Sequence, residues 1–426
     1  MYIVNDMYNN KKTYTSKFTV CKEYTNEWHQ PVRWIQFATT LLLFVAGTVP
    51  RLALSAEYFA EPYLEVQEIY DDNIRLTTQK HDSTYGTIIK PGINLGIRSQ
   101  NTEVNLGVNL ITEKYMRKNL DTDDQLLRFD ALHRTERSKY AIEYEFSRDS
   151  SLRTEIEDTG RVSANTRRRK RSYVHPTWGY DITNETNIEF GMEYTDIQYP
   201  RKGNSGLRDS TVYGANAVFT KMWTPTLDYF VELYANEYNS VTGLNINLKY
   251  YGVNFGGTKT LSDTFSYTLS AGLQRTNSEA QVLTGGIVRS VGSSSNGFAF
   301  SAKVDKKFET TTVSALLQRN LQPTSRGNLN ERDEFRVNVK QRLTEILEAT
   351  LQTRVIQQSA TTQTGSNDRV FYSVEPGITW KVTRDLDISG AYRYRNQKFD
   401  NASSSATSNL FMILFHYNVP RISVAR

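Results

Sequence analysis

A single cysteine, Cys21, stands in a chain of 426 residues. Disulfide frameworks and paired-Cys metal sites are thereby excluded. Apolar residues reach only 38%, low for a soluble enzyme of this length, and after Val49 no long apolar run follows from which a membrane-crossing helix of about 20 residues could be built. The chain also lacks a phosphate-binding glycine loop, zinc-type histidine spacing and a Gly-x-Ser-x-Gly elbow. Of its five histidines, His81, His133, His175 and His416 are far apart, and His29 lies near the N-terminus. No catalytic residue, metal ligand or cofactor is indicated. Charge of one sign is missing too: without residues 1–56, which hold six Lys/Arg and three acids, 45 of 51 basic and 43 of 46 acidic residues remain. A balance near +2 does not suggest a nucleic-acid partner.

What is abundant is aromatic residues, 12% of the chain, with 26 Tyr and 19 Phe. Low overall hydropathy with many tyrosines fits a wall whose strands are apolar on one face only and carry aromatic belts at two interfaces. The alternation is visible directly. Ile188, Phe190, Met192 and Tyr194 interleave with Glu189, Gly191 and Glu193; Val104, Leu106, Val108 and Leu110 interleave with Asn105, Gly107 and Asn109. Further runs are Tyr140 to Phe146, Leu227 to Leu233, Phe265 to Leu273, Ala349 to Val355 and Ile388 to Tyr394. Period two over such lengths predicts half-exposed strands.

The connections alternate as well. Tight turns fall near Gln100-Asn101, Glu136-Arg137, Asn184-Glu185, Pro225, Ser262-Asp263, Glu309-Thr310, Thr344-Glu345 and Arg384-Asp385. Longer polar loops lie between them, including Asp71 to Ser83, Asp149 to Thr166, Asn277 to Asn296 and Ser359 to Asp368. Short turns at one end and long loops at the other are the pattern of a bacterial outer-membrane barrel, and the count closes at about 18 strands. The expectation is an all-β, antiparallel, up-and-down transmembrane barrel over residues 57–426. A β-propeller repeats at a similar period but would need four short strands per repeat and its own signatures, which are absent. Pro91, Pro176 and Pro376 fall inside strands and are expected to mark bulges. Around Glu68 and Tyr250-Tyr251 the alternation does not assign the faces.

Residues 1–56 are expected to form an N-terminal extension and a cleavable signal peptide. Arg33 precedes the apolar stretch Trp34–Val49, and Leu54-Ser55-Ala56 supplies a small-residue cleavage site. The polar stretch before Arg33 is long for such a signal, and a translation start at Val32 would give one of ordinary size.

At the other end, Phe411, Ile413, Phe415 and Tyr417 share one face. This strand resembles the C-terminal assembly signal of outer-membrane barrels, which implies recognition by the assembly machinery; the tail 418–426 departs from that signal. The opening segment Glu61 to Ile74, with Tyr70-Asp71-Asp72-Asn73-Ile74, resembles the first strand and loop of the β-barrel porins linked to exopolysaccharide and exosortase (PEP-CTERM) gene clusters. That resemblance implies an outer-membrane channel or export component for polysaccharide and defines no catalytic residues. A general diffusion porin is the first alternative and a barrel-embedded hydrolase the second.

Alternation places Lys90, Arg98, Glu143, Glu145, Glu189, Glu193, Glu232, Arg336, Lys340, Arg354, Arg393 and Arg395 toward the lumen, where their charges require water, because ionised groups facing lipid cost several kcal/mol. The mixture of signs predicts weak ion selectivity. Phe230 and Tyr234, also inward, are candidates for stacking on sugars or for packing. The run Arg167-Arg168-Arg169-Lys170-Arg171 is expected where a long loop re-enters the wall. It reads either as a cationic rim for lipopolysaccharide phosphates or acidic glycan, or as a solvated loop neutralised by Glu155, Glu157 and Asp158.

Overall fold

The computed structural model describes residues 56–79, 83–150, 167–200, 207–240, 245–284, 287–324, 329–360 and 368–425. The expected signal peptide, apart from Ala56, lies outside them. Eighteen antiparallel strands follow one another from β1 (Glu57–Asp71) to β18 (Ala406–Asn418), each paired with its neighbours in sequence. Pairing of β1 with β18, from Tyr63 opposite Asn418 to Asp71 opposite Leu410, closes the sheet on itself. Closure removes the edge strands and satisfies the backbone between neighbours, which a wall in hydrocarbon requires. The tail is part of this seam. After a break, β19 (Ile422–Ala425) pairs with Glu57–Ala60 of β1, and Arg421 binds Glu57 at 2.8 Å.

The outward positions carry the apolar half of every alternation. Leu110, Ile142, Phe190, Leu233, Phe255, Leu273 and Phe335 are all exposed, as are Phe411, Ile413, Phe415 and Tyr417 of β18. Trp178, Tyr229, Trp380 and Tyr417 ring the short-turn end, and Tyr85, Tyr213 and Tyr251 the other. This apolar band between two aromatic girdles marks a barrel that spans a bacterial outer membrane, with short turns at one end and the longer connections at the other.

The three strand prolines correct the expectation of bulges. On both sides of Pro91 the β2–β3 register is the same, and so it is across Pro176 and Pro376. Each proline faces outward, keeps its partner on the preceding strand, and leaves only a gap in the ladder toward the following strand. A missing N–H interrupts hydrogen bonding without adding a residue. The register shifts that do occur sit beside the short turns, at Asp181/Thr183, Met222/Thr224 and Thr260/Ser262. Where alternation was ambiguous, Tyr250 is buried inward, Tyr251 is exposed outward, and Glu68 faces out and accepts from Thr87 Oγ1 at 2.8 Å.

The segment Asn277 to Asn296, read as a loop, is instead the upper part of the two longest strands, β11 (Phe265–Thr284, 20 residues) and β12 (Ile287–Lys307, 21 residues). The Ser- and Gly-rich sequence hid strand continuation because strand propensity is low there while cross-strand pairing dictates the geometry.

Candidate functional site

The candidate site is the lumen, whose lining follows from strand parity. The structure describes every expected lumen residue on an inward position. Lys90 lies 2.8 Å from Glu65, Arg98 2.6 Å from Glu103, and Glu189 3.2 Å from Lys139. Glu145 receives both Arg128, at 2.7 Å, and Arg171, at 2.6 Å. Glu193 accepts from Thr195 Oγ1 at 3.2 Å and Glu232 from Asn254 Nδ2 at 2.9 Å. On the far side Lys340 meets Glu348 at 2.6 Å, Arg393 meets Glu375, and Arg395 meets Asp71 at 2.6 Å.

These charges are not evenly mixed. Inward acids dominate from β4 (Thr122–Arg134) to β9 (Leu227–Ser240), and inward arginines and lysines dominate from β14 (Leu329–Arg342) to β17 (Leu386–Phe399). Two like-charge pairs express the difference. Asp130 stands directly opposite Glu143 on β4 and β5, and Arg336 stands directly opposite Arg354 on β14 and β15. In an 18-strand circle these strand pairs lie almost diametrically across the lumen. The arginine pair is held by Glu334, which is 2.5 Å from Arg336, 2.8 Å from Arg354 and 3.1 Å from Arg332. One carboxylate between three guanidinium groups leaves a net positive wall. In the acid pair, Asp130 Oδ1 is buried without a hydrogen-bond partner among the described residues, and His175 stands directly opposite Glu143 on β6 (Arg168–Thr183).

Asp130 and Glu334 were absent from the sequence-derived set, although parity with Phe129 and Phe335 would have placed both inward. Their importance comes from cross-strand partners, which spacing along one strand does not reveal. Tyr234 is buried and Phe230 half-buried. Their rings lie over Gly256 and Gly252 of β10 (Ile246–Ser262), where an added Cβ would come within 2.3 Å of Phe230 Cζ and 2.6 Å of Tyr234 Oη. Glycine allows that close approach because it has no side chain.

Two elements fold into the outer mouth. Above Phe300 opposite Arg319, β12 and β13 (Thr311–Pro323) cease to pair, while β13 and β14 stay paired up to Pro323 opposite Leu329. Leu321 and Leu329 are buried against the inward Tyr234, Tyr238, Leu248 and Tyr250, and Tyr238 Oη donates to the carbonyl of Thr324 at 3.2 Å. The upper ends of β13 and β14 therefore pass on the lumen side of β11–β12.

The second element is the segment after β1. Ile74 packs with inward Ile69, Ile88, Ile111, Tyr115 and Leu410, while Leu76 packs with Ile356, Phe371 and Ala406 on the strands beyond the seam. Polar contacts of the Tyr70–Ile74 segment hold it there. Asp71 accepts from Arg395, from Ser408 Oγ at 2.8 Å and from the Asn73 backbone at 2.9 Å. Asn73 Nδ2 donates to the carbonyls of Thr77 and Thr407, Asn409 Nδ2 donates to Asp72 at 2.6 Å, and Gln397 Nε2 donates to the Leu76 carbonyl at 2.7 Å. Leu76 itself adopts φ 49°, a left-handed conformation costing an ordinary residue about 1–2 kcal/mol.

The basic run stands where the connection after β5 (Ser138–Ser150) re-enters the wall. Only Arg167 precedes β6 (Arg168–Thr183), and the other four alternate along that strand. Arg169 turns inward to Asp149, with two bonds of 2.9 Å, and Arg171 to Glu145. Arg168 reaches Asp124 at 3.2 Å, whereas Lys170 is exposed on the outer face. The acids expected to neutralise the run, Glu155, Glu157 and Asp158, lie outside the described residues.

No protein-family model matches the chain, and no curated protein matches it. Among solved structures, it is similar to OccAB3 of Acinetobacter baumannii, at 10% identity and TM-score 0.45, covering 86% of this chain and 99% of that one. It is likewise similar to a BenF-like porin from Pseudomonas fluorescens Pf-5, at 11% identity and TM-score 0.44, covering 85% and 99%. A third is the ferric citrate transporter FecA in its unliganded form, at 10% identity and TM-score 0.47, covering 80% of this chain and 60% of that one. Likeness at this level concerns the barrel architecture alone; the residues above carry the functional argument.

Proposed function

We propose that the chain is a passive outer-membrane channel for small polar solutes. The observation that carries the reading is the charged, water-facing lumen in which the Asp130–Glu143 pair faces the Arg336–Arg354 pair. A barrel of 18 strands encloses more room than inward side chains fill, and ionised walls require water along that path. Opposed charge on two sides orients dipolar solutes across the lumen and slows purely apolar ones. The two elements packed into the mouth restrict the entrance, which favours small solutes over bulky ones.

The test is conductance of the purified protein in a planar bilayer. Stepwise currents are expected, and the reversal potential in a KCl gradient should move toward cation preference in Arg336→Gln/Arg354→Gln and toward anion preference in Asp130→Asn/Glu143→Gln. A silent wild-type protein, with both double variants also silent, would sink the channel reading.

A role in exopolysaccharide export is the second reading, supported by the resemblance over Glu61 to Ile74. Its test is a deletion strain. Loss of surface polysaccharide with unchanged uptake of small solutes would favour export; the opposite pattern would favour the diffusion channel.

A further inference from the structure

From Lys307 opposite Thr312 up to Phe300 opposite Arg319, β12 and β13 pair residue for residue; above that point, among the described residues, β12 pairs with β11 alone. The upper part of β12, Ile287 to Ala299, is thereby a strand edge. Such an edge presents unpaired N–H and C=O groups and is a template for another strand unless charge, proline or a bulge protects it. The exposed run Arg289 to Asn296 carries one charge and no proline. Across the fork, β13 runs on from Asn320 to Pro323, paired with β14 alone.

These residues of β13 continue the β12 register. One step above Arg319, Asn320 would meet Ala299, and the next steps set Leu321 against Phe298, Gln322 against Gly297 and Pro323 against Asn296. Parity agrees, because Leu321 would join Phe298 and Leu273 on the apolar outer face while Gln322 faced the lumen. Pro323, which has no N–H to donate, would stand at the end of the ladder. In the structure the ends lie inward instead, with Leu321 and Leu329 buried among Tyr234, Tyr238, Leu248 and Tyr250. There Asn320 Oδ1 is buried without a hydrogen-bond partner among the described residues. Arg319 ties the two strands together at the fork: it donates to Asp333 of β14 through two bonds of 2.5 Å, and its guanidinium lies over the Phe298 ring at 4.5 Å. On the far side β14 stays paired with β15 (Leu347–Ala360) up to Asn330 opposite Ala360, so the ends bend about the fork without leaving the sheet.

We propose that the upper ends of β13 and β14 form a two-position gate. In the inward position Leu321 and Leu329 latch into the tyrosine-lined pocket and narrow the mouth; in the outward position Asn320 to Pro323 zip onto the free edge of β12 and the mouth widens. The inward position gains apolar burial, and the outward one gains ladder hydrogen bonds along an edge otherwise open. Each gain is lost when the other forms, so the element has two positions and not a continuum. The chain's own β13 suits the edge better than a second copy does. Two copies in one membrane share an orientation, so their β12 edges do not run antiparallel to each other, whereas β13 already runs antiparallel to β12. The effect on current rests on the channel reading; the movement does not.

Cysteine pairs test the movement, in a Cys21→Ser background that leaves no other thiol. Asn296→Cys/Pro323→Cys sets two thiols opposite each other in the outward position, and Ser301→Cys/Gln318→Cys, already opposite below the fork, is the reference. Under mild oxidant in micelles both pairs are expected to cross-link within one chain. Adding Leu321→Ser/Leu329→Ser removes the latch and should speed the upper cross-link about tenfold or more. In planar bilayers the upper cross-link should raise single-channel conductance, and reductant should restore the starting level. Heat-dependent gel mobility confirms that each variant is a folded barrel. An upper pair that stays reduced in both backgrounds while the reference pair cross-links overturns the proposal. So does an upper cross-link no faster without the latch, a current unchanged by it in a conducting protein, or a dimer formed through Asn296→Cys alone, which assigns the edge to a second copy. A wild-type protein that passes no current defeats the channel reading, and the cross-linking rates then decide the movement by themselves.

Discussion

Arg395 on β17 donates to Asp71 at the end of β1 across 2.6 Å, joining positions 324 residues apart in the chain. Both side chains are buried, and Ser408 donates to the same carboxylate. The bond spans the seam at which the first strand meets the last and fixes the segment carrying Ile74 and Leu76 inside the mouth.

Removing one member leaves the other charged and buried. Arg395→Ala is expected to destabilise the barrel by roughly 3–5 kcal/mol, read as a lower midpoint for heat conversion between folded and unfolded bands on a gel. Asp71→Asn/Arg395→Met should recover part of the loss, because no uncompensated charge remains. An Arg395→Ala barrel as stable as wild type would show that the bond is not what secures the seam.

Leu76 combines a left-handed backbone with a buried apolar side chain. Leu76→Gly removes the strain of about 1–2 kcal/mol together with the packing on Ile356 and Phe371, while every hydrogen bond at Asp71 remains. Single-channel conductance is expected to rise and become noisier as the segment leaves the wall. Currents indistinguishable from wild type would place the restriction elsewhere.

Gly256 gives a steric test of the lumen wall. A Cβ there would lie 2.3 Å from Phe230 Cζ and 2.6 Å from the Leu269 carbonyl oxygen. Gly256→Ala should therefore cost about 1–3 kcal/mol through overpacking, and adding Phe230→Ala should recover part of it. Thermal unfolding followed by circular dichroism in micelles measures both.

Orientation can be checked with cysteine. No cysteine follows Cys21, so a thiol placed at Ser293 in β12 should react with an impermeant maleimide on intact cells, and one at Asn184 in a short turn, expected in the periplasm, should not. Reversed labelling would turn the barrel over.

The sequence by itself determined the architecture. Ile188 to Tyr194 and Val104 to Leu110 alternate because one face of each strand meets lipid and the other water, and that period survives in a single sequence. Turn positions gave the strand count for the same local reason. Parity also supplied the inward face of Lys90, Glu189, Arg354 and Arg395. Tertiary structure alone decided which charges meet. Arg395 belongs to Asp71, and Arg336 and Arg354 share Glu334, because closure and register bring distant strands together. It also decided that the segment after Asp71 and the upper ends of β13 and β14 turn inward. That outcome rests on burying Ile74, Leu76, Leu321 and Leu329 against side chains far away in the chain, a gain in apolar contact that no local periodicity encodes.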